Sequence, residues 1–142
     1  MAARALIDTG AVLALLDRSD RWHQSCVEAY DNTDLPLLTS EAVLAEVFHL
    51  TSRNLRDVKG VWRLLRSGAI QMSSITHDEL PSIHALMDDY DDRPMDFADA
   101  TLVHLAGRES LSLILTVDHD DFETYRINGR KRFTILPARA RN

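Results

Sequence analysis

The stretch Leu113-Ile114-Leu115-Thr116-Val117-Asp118 decides the fold class, because its apolar run is typical of a buried parallel strand. A second run, Leu6-Ile7-Asp8-Thr9-Gly10, also leads from apolar residues into an acid. Segments with helical spacing of their apolar residues lie between these runs. Strands that alternate with helices predict an α/β fold with a mainly parallel central sheet.

The remaining elements follow from working outward from these two runs. Short apolar runs predict strands, and they lie at residues 4–7, 37–38, 69–72, 113–117 and 132–136. Helical spacing and capping residues predict helices, and they lie at residues 11–17, 21–31, about 40–53, 57–68, 76–90 and 94–107. The helix over 57–68 is expected to begin at an Asp57 cap, and its expected apolar face is Val58, Val61, Trp62 and Leu65.

The length of 142 residues is usual for one domain, so we expect a single domain over 1–142, with a core at about 4–137 and a short basic tail. One cysteine, Cys26, excludes an internal disulfide and fits the cytoplasm. Asp8 and Asp17 interrupt the apolar N-terminal stretch, which is too short to span a membrane. We therefore expect a cytoplasmic protein with no membrane partner.

The net charge of -6 argues weakly against a nucleic-acid partner, but the charge is unevenly distributed. Residues 78–99 contain eight acids and one arginine, whereas residues 126–142 contain six basic residues and no acid. Two interpretations stay open: a solvated acidic helix with a basic tail, or an acidic site beside a basic edge that holds phosphates. The basic candidates for RNA binding are Arg126, Arg130, Lys131 and Arg132.

Two acids, Asp8 and Asp118, directly follow predicted buried strands. Parallel sheets bind ligands beyond the carboxyl ends of their strands, so both carboxylates are expected at the ligand edge. The local alternative for each is a turn or a helix cap.

Glu46 and Asp99 lie on predicted helices. Glu46 follows Val43 by three residues and precedes Leu50 by four, which places it beside an inward apolar stripe. The alternatives for Glu46 are contact with water at the edge of the stripe, or pairing with Arg53. Asp99 precedes apolar positions at i+4 and i+7, so it is expected on or beside an inward face. Its neighbour Asp96 fits the N-cap of the same helix.

Several carboxylates at one sheet edge repel each other, and a divalent cation removes that repulsion. Oxygen ligands suit Mg²⁺ or Mn²⁺, and the six histidines show no zinc-like pairing. Magnesium held by carboxylates activates water and stabilises a phosphodiester under attack. The sequence also lacks a P-loop and a nucleophile elbow, so the acids point to metal-assisted hydrolysis.

Four segments carry a resemblance to a known family and span nearly the whole chain, from about residue 4 to residue 137. They are Leu6-Ile7-Asp8-Thr9, Ser40-Glu41-Ala42-Val43-Leu44-Ala45-Glu46, Met95-Asp96-Phe97-Ala98-Asp99-Ala100-Thr101-Leu102-Val103 and Ile114-Leu115-Thr116-Val117-Asp118-His119-Asp120-Asp121-Phe122. In order and spacing they resemble the PIN-domain ribonucleases, especially the VapC-type toxins of bacterial toxin–antitoxin pairs.

The resemblance implies a three-layer α/β/α fold and a Mg²⁺- or Mn²⁺-dependent endoribonuclease, commonly a homodimer, that a cognate antitoxin holds inactive. It implies that Asp8, Asp99 and Asp118 are metal ligands, and that Glu46 is a ligand or positions the attacking water. Supporting positions are Asp96, which is a further candidate ligand, Thr9 and Thr116. The chain departs from the family at His119-Asp120, where relatives often carry two arginines.

Two other folds with acidic pockets fit less well. A phosphotransfer receiver domain needs a lysine beyond its last strand, but the lysines are Lys59 and Lys131, and Lys131 precedes that strand. A phosphatase of the haloacid dehalogenase type needs an acid where Gly10 stands. A PIN-like RNA-binding module without activity and a PIN nuclease of RNA processing stay open. The number of metal ions and activity on single-stranded DNA stay open as well.

Overall fold

The computed structural model describes residues 3–139. Its strands are β1 (Ala5–Ile7), β2 (Leu37–Ser40), β3 (Ile70–Ser73), β4 (Leu113–Leu115), β5 (Arg126–Ile127), β6 (Lys131–Arg132) and β7 (Thr134–Leu136). Five of them form one sheet in the order β3-β2-β1-β4-β7, and every pairing in it is parallel. The predicted α/β fold with a parallel central sheet is therefore confirmed.

Helices follow the strands along the chain and flank the sheet. They are α1 (Thr9–Leu16), α2 (His23–Asp31), α3 (Glu41–Thr51), α4 (Leu55–Arg66), α5 (Leu80–Asp89), α6 (Phe97–Glu109) and α7 (His119–Thr124). A 3₁₀ turn at His77–Glu79 precedes α5 and carries the predicted capping box of Thr76 and Glu79. Within residues 3–139, no helix is both long enough and apolar enough to cross a membrane.

The two runs that decided the fold class are neighbours at the centre of the sheet. Strand β1 pairs with β4 through Leu6 with Ile114 and Ile7 with Leu115, and all four side chains are fully buried. The backbone N–H of Asp8 donates to the carbonyl of Leu115 at 2.9 Å, so the pairing continues to the end of β1. Residues that follow β1 and β4 therefore emerge side by side at the carboxyl edge.

Helix α4 corrects two predictions. The Asn54 side chain accepts a hydrogen bond from the N–H of Asp57 at 3.1 Å, so Asn54 caps the helix and the expected Asp57 cap is wrong. Val61 is buried, whereas Trp62 is 51% exposed and therefore does not belong to the buried face. Consecutive helical residues point about 100° apart, so burial of Val61 turns Trp62 outward, where it contacts Phe48 with ring centroids 5.1 Å apart.

The predicted strand over 132–136 is wrong as a single element. Lys131–Arg132 pairs with Arg126–Ile127 as an antiparallel hairpin, and only Thr134–Leu136 joins the central sheet. The hairpin turns at Asn128 and Gly129, which have φ values of 52° and 73°. An Asn-Gly pair is a typical hairpin signal, and it was present in the sequence.

Three helix starts also differ from the predictions. Helix α1 begins two residues earlier than expected, because Asp8 itself is the N-cap. Helix α2 begins at His23 rather than at residue 21, since the Asp20 side chain instead accepts a hydrogen bond from the N–H of Trp22 at 2.8 Å. Helix α6 begins at Phe97 rather than at residue 94, because Asp96 occupies its N-cap.

Candidate metal centre

The Asp8 carboxylate is held at the end of β1 by two neutral donors. Its Oδ1 accepts from the N–H of Thr9 at 2.7 Å, and its Oδ2 accepts from the Thr116 hydroxyl at 3.0 Å. Asp8 is only 7% exposed. Asp8 therefore caps α1, as the local alternative predicted, and it also lies at the carboxyl edge of the sheet, where the ligand edge was expected.

The Thr116 hydroxyl links the ends of the two central strands. It donates to Asp8 and accepts from the backbone N–H of Asp118 at 3.0 Å. Asp118 stands at the N-cap position of α7, but its side chain makes no capping hydrogen bond. The exposed Asp118 carboxylate is therefore available to a ligand at the same edge.

Helix α6 brings the third predicted acid to this edge. Asp96 accepts from the N–H of Asp99 at 2.7 Å as the N-cap, as predicted, and remains exposed. Asp99, one turn inside the helix, is 7% exposed, which agrees with its predicted inward direction. The buried Tyr125 hydroxyl donates to Asp99 Oδ2 at 2.9 Å. Tyr125 was not among the sequence candidates.

A fourth acid, Asp121, joins this group. One carboxylate oxygen each from Asp99, Asp118 and Asp121 lies within 4.8 Å of the other two. Asp121 was not among the predicted site residues. The available signal was its spacing of three residues from Asp118 at the start of a short helix, because such residues share a face. We call Asp8, Asp99, Asp118 and Asp121 the acid cluster.

The electrostatics show that the acid cluster is unfavourable when all its members are ionised. Burial raises the pKa of Asp8 to about 6, against the lowering effect of its hydrogen bonds with Thr9 and Thr116. Burial, and then the charge of Asp8, raise the pKa of Asp99 to about 8. Partial burial, and then the adjoining Asp121, raise the pKa of Asp118.

Glu46 lies on α3 at the edge of this electrostatic field. Its charge contributes to the raised pKa of Asp8, although Glu46 itself is exposed. The predicted stripe through Leu50 is wrong, since Leu50 is 58% exposed; the buried face of α3 is Val43, Leu44, Val47 and Thr51. The alternative pairing with Arg53 is absent from the ion pairs of residues 3–139. Glu46 is exposed to solvent, as the edge-of-stripe alternative expected, and its membership of the catalytic set stays a prediction.

The predicted RNA-binding residues lie on or beside the β5–β6 hairpin. Arg126 donates from Nη1 to three carbonyls at the end of α7, those of residues 123, 124 and 125, at 2.7 to 3.1 Å. Arg130, Lys131 and Arg132 are exposed. The last basic residue of the segment, Arg141, lies outside the described residues. Contact of these residues with RNA stays a prediction.

The acid cluster and the threonine hydroxyls beside it are suited to a hard divalent cation. The donors are carboxylate and hydroxyl oxygens, which Mg²⁺ and Mn²⁺ prefer. The buried Thr9 hydroxyl next to Asp8 has no hydrogen-bond partner in the described chain, and water around an ion would satisfy such a group. His119 is engaged elsewhere, because its Nε2 contacts the carbonyl of Pro137 at 2.8 Å and its ring lies 5.1 Å from Trp22.

The parallel sheet and the acids at its carboxyl edge are those of a PIN domain. Residues 5–128 match the family model described as PIN domain. This match covers most of the chain, and the chain therefore belongs to the PIN-domain family.

Known proteins agree with this assignment. The chain is 32% identical to Ribonuclease VapC26 of Mycobacterium tuberculosis over 134 residues, 93% of this chain and 99% of that protein. The crystal structure of Mycobacterium tuberculosis VapC20, a Sarcin-Ricin loop cleaving toxin, has a TM-score of 0.70 at 20% identity and covers 78% of this chain and 86% of its own. A toxin–antitoxin complex from Klebsiella pneumoniae has a TM-score of 0.65 at 21% identity and covers 84% and 91%. At these identities the two structures show the fold alone.

Proposed function

We propose that this chain is a Mg²⁺- or Mn²⁺-dependent endoribonuclease and the toxin of a toxin–antitoxin pair. The observation that carries the proposal is the meeting of Asp99, Asp118 and Asp121 within 4.8 Å, close enough to Asp8 for its charge to raise the pKa of Asp99 and of Asp118. The family and the similarity to Ribonuclease VapC26 support RNA as the substrate.

The four carboxylates of the acid cluster would hold the ion. Thr116 fixes Asp8 relative to Asp118, because one hydroxyl bonds to both residues. Tyr125 occupies one oxygen of Asp99 and leaves the other free for a ligand. When bound, the ion lowers the pKa of a water molecule and stabilises charge on the phosphodiester under attack.

Glu46 would position the attacking water rather than hold the ion. Glu46 lies on α3 and is exposed. Its charge raises the pKa of Asp8, although no hydrogen bond joins the two residues. A carboxylate that reaches the site from the solvent side can accept a proton from water and release it to bulk solvent. Asp96 supports the site by fixing the first turn of α6.

The family and the composition support proposals about the partners and the location. We propose that a cognate antitoxin holds the chain inactive, which the Klebsiella pneumoniae toxin–antitoxin complex supports. We also propose that the whole chain forms a single domain, and that two copies of it associate as a homodimer in the cytoplasm. The exposed cations of the hairpin, Arg130, Lys131 and Arg132, would hold the RNA backbone, with Arg126 at its base.

The metal requirement is tested by incubating a mixed-sequence single-stranded RNA with the protein in MgCl₂, in MnCl₂ and in EDTA. Asp118→Asn is compared with Asp120→Asn, since both residues lie at the start of α7 but Asp120 instead pairs with Arg139 at 2.6 Å. We expect Asp118→Asn to abolish cleavage and Asp120→Asn to preserve it. Cleavage that continues in EDTA, or equal activity of the two variants, would contradict the mechanism.

The toxin assignment is tested separately by inducing the chain in a bacterial host. Induction of the wild type is expected to arrest growth, and Asp118→Asn is expected to relieve the arrest. A small reading frame beside the gene, when co-expressed, should restore growth and co-purify with the toxin. Normal growth with active, folded protein would leave a PIN nuclease that is not a toxin.

A further inference from the structure

The acid cluster carries up to four negative charges when all its members are ionised, and its proposed substrate, RNA, is an anion as well. Asp96 and Glu46 also lie close enough to raise the pKa of Asp8, so two further carboxylates lie near the acid cluster. A phosphodiester that approaches these carboxylates is repelled unless a cation faces it. Within residues 3–139, a single basic side chain, Arg93, makes an ion pair with any of these six acids.

Contacts with α7 and within the loop before α6 fix the position of Arg93. Its Nη2 lies 3.2 Å from Asp121 Oδ1, and its Nη1 donates to the Thr124 hydroxyl at 2.9 Å, so the guanidinium lies along α7. The backbone N–H of Arg93 donates to the carbonyl of Tyr90 at 3.1 Å in the loop before α6. Tyr90 in turn packs edge-on against Tyr125, which holds Asp99.

The Arg93 side chain also remains open to an incoming ligand. It is 45% exposed, whereas Asp121 is 28% exposed, so the guanidinium lies on the solvent side of the acid. A guanidinium has five N–H donors in one plane, and the described chain engages it only through Nη1 and Nη2. A half-exposed ion pair contributes little to stability, so exchanging Asp121 for another oxyanion costs little.

We propose that Arg93 contacts a non-bridging oxygen of the phosphodiester that is cleaved. The contact neutralises the phosphate as it enters the acid cluster and stabilises the additional charge of the transition state. Asp121 holds Arg93 in place before the substrate binds, and its carboxylate would become available to hold an ion when the phosphate takes over the guanidinium. This inference rests on the proposed ribonuclease function and adds a substrate contact to it.

The experiment compares Arg93→Gln with Arg139→Gln. Arg139 is a matched control, because it also holds α7, through Asp120 at 2.6 Å and Glu123 at 2.8 Å, but has no contact with the acid cluster. Cleavage of a short fluorescent single-stranded RNA in MgCl₂ gives kcat and KM for each protein. We expect Arg93→Gln to lower kcat/KM at least about tenfold and Arg139→Gln to stay within about twofold.

Two further measurements separate a substrate contact from a structural role. Calorimetric titration of the RNA-free proteins with Mg²⁺ should show equal or tighter binding for Arg93→Gln, because the competing cation on Asp121 is removed. Added guanidinium ion should restore part of the lost rate to Arg93→Ala and leave the wild type unchanged.

The outcomes distinguish this inference from the proposed function. Wild-type cleavage with equal rates for Arg93→Gln and Arg139→Gln would overturn the phosphate contact alone. A slow Arg93→Gln that has also lost Mg²⁺ binding or its melting transition would overturn it too, because Arg93 would then act only through the fold. A wild type that binds Mg²⁺ without cleaving RNA would overturn the ribonuclease proposal and the contact with it.

Discussion

Replacing Asp8 by asparagine should make the metal-free protein more stable at neutral pH. Asp8 has a pKa of about 6 in the folded chain against 3.8 for an unperturbed aspartate. The folded state therefore binds more protons than the unfolded state between these values, and the free energy of unfolding falls as the pH rises from about 4 to about 6. Two pKa units correspond to about 3 kcal/mol of destabilisation at pH 7.5, which the neutral amide removes.

The hydrogen bonds of Asp8 limit how much stability the Asp8→Asn variant gains. In Asp8→Asn the new side chain keeps an oxygen for the N–H of Thr9 but offers an amide to Thr116, so about 1 kcal/mol of the gain is lost. That loss does not depend on pH, whereas the destabilisation caused by the ionised Asp8 carboxylate does. At pH 4.5 this destabilisation is only about 1 kcal/mol, so the stability advantage of the variant should grow by about 2 kcal/mol between pH 4.5 and pH 7.5.

Urea unfolding in EDTA, followed by circular dichroism at both pH values, measures this difference. Asp17→Asn is the control, because Asp17 is exposed and its hydrogen bonds with Ser19 lower its pKa, so its variant should gain nothing at neutral pH. Adding MgCl₂ should stabilise the wild type more than Asp8→Asn. A variant that is less stable at pH 7.5, or whose advantage does not change with pH, would refute the reasoning.

Three other substitutions test parts of the site. Glu46→Gln should keep the free energy of unfolding within about 0.5 kcal/mol, because the residue is exposed, but reduce Mg²⁺-dependent cleavage of RNA; Glu41→Gln on the same helix should keep cleavage. Tyr125→Phe removes a hydrogen bond from the buried carboxylate of α6 and should shift Mg²⁺ binding, measured by calorimetry at pH 6.5 and pH 8, toward higher pH. Gly10→Ala would place a Cβ 2.6 Å from Val117 Cγ2 and should cost about 1–3 kcal/mol in urea unfolding, which Val117→Ala should partly restore.

The sequence predicted the parts of the site that depend on strand ends and on helical spacing. Asp8 and Asp118 follow the two central strands, so a parallel sheet brings them together whatever the loops do. The burial of Asp99 follows from its place one turn after an N-cap and before apolar positions. These are local rules, and the position of each residue is decided by its own neighbours in the chain.

The parts that the sequence did not predict depend on contacts between distant segments. Tyr125 reaches Asp99 across 26 positions, and Arg93 reaches Thr124 across 31. No local spacing predicts such pairs, because the loops before α6 and after α7 decide them. The prediction of an inward stripe through Leu50 was wrong for a related reason. Only the packing of α3 decides which of two neighbouring apolar rows of this helix faces the core.

Two sets of acids in the described chain differ in the donors that they receive. Glu79, Asp120 and Glu123 receive arginine side chains, and hydrogen bonds lower the pKa of each of them. Asp8 and Asp99 receive only backbone N–H, threonine and tyrosine donors, and burial raises the pKa of each of them.

Neutral donors fix the direction of a carboxylate without cancelling its charge, so the buried pair is oriented but still lacks a counterion. Arg93 stops at Asp121, at the solvent side, and does not reach this pair. A small cation that enters between Asp8 and Asp99 would therefore remove a repulsion that no side chain of residues 3–139 removes. Neutralising a buried acid should consequently raise the stability of the metal-free fold and lower its affinity for a divalent ion, so the two properties should change in opposite directions.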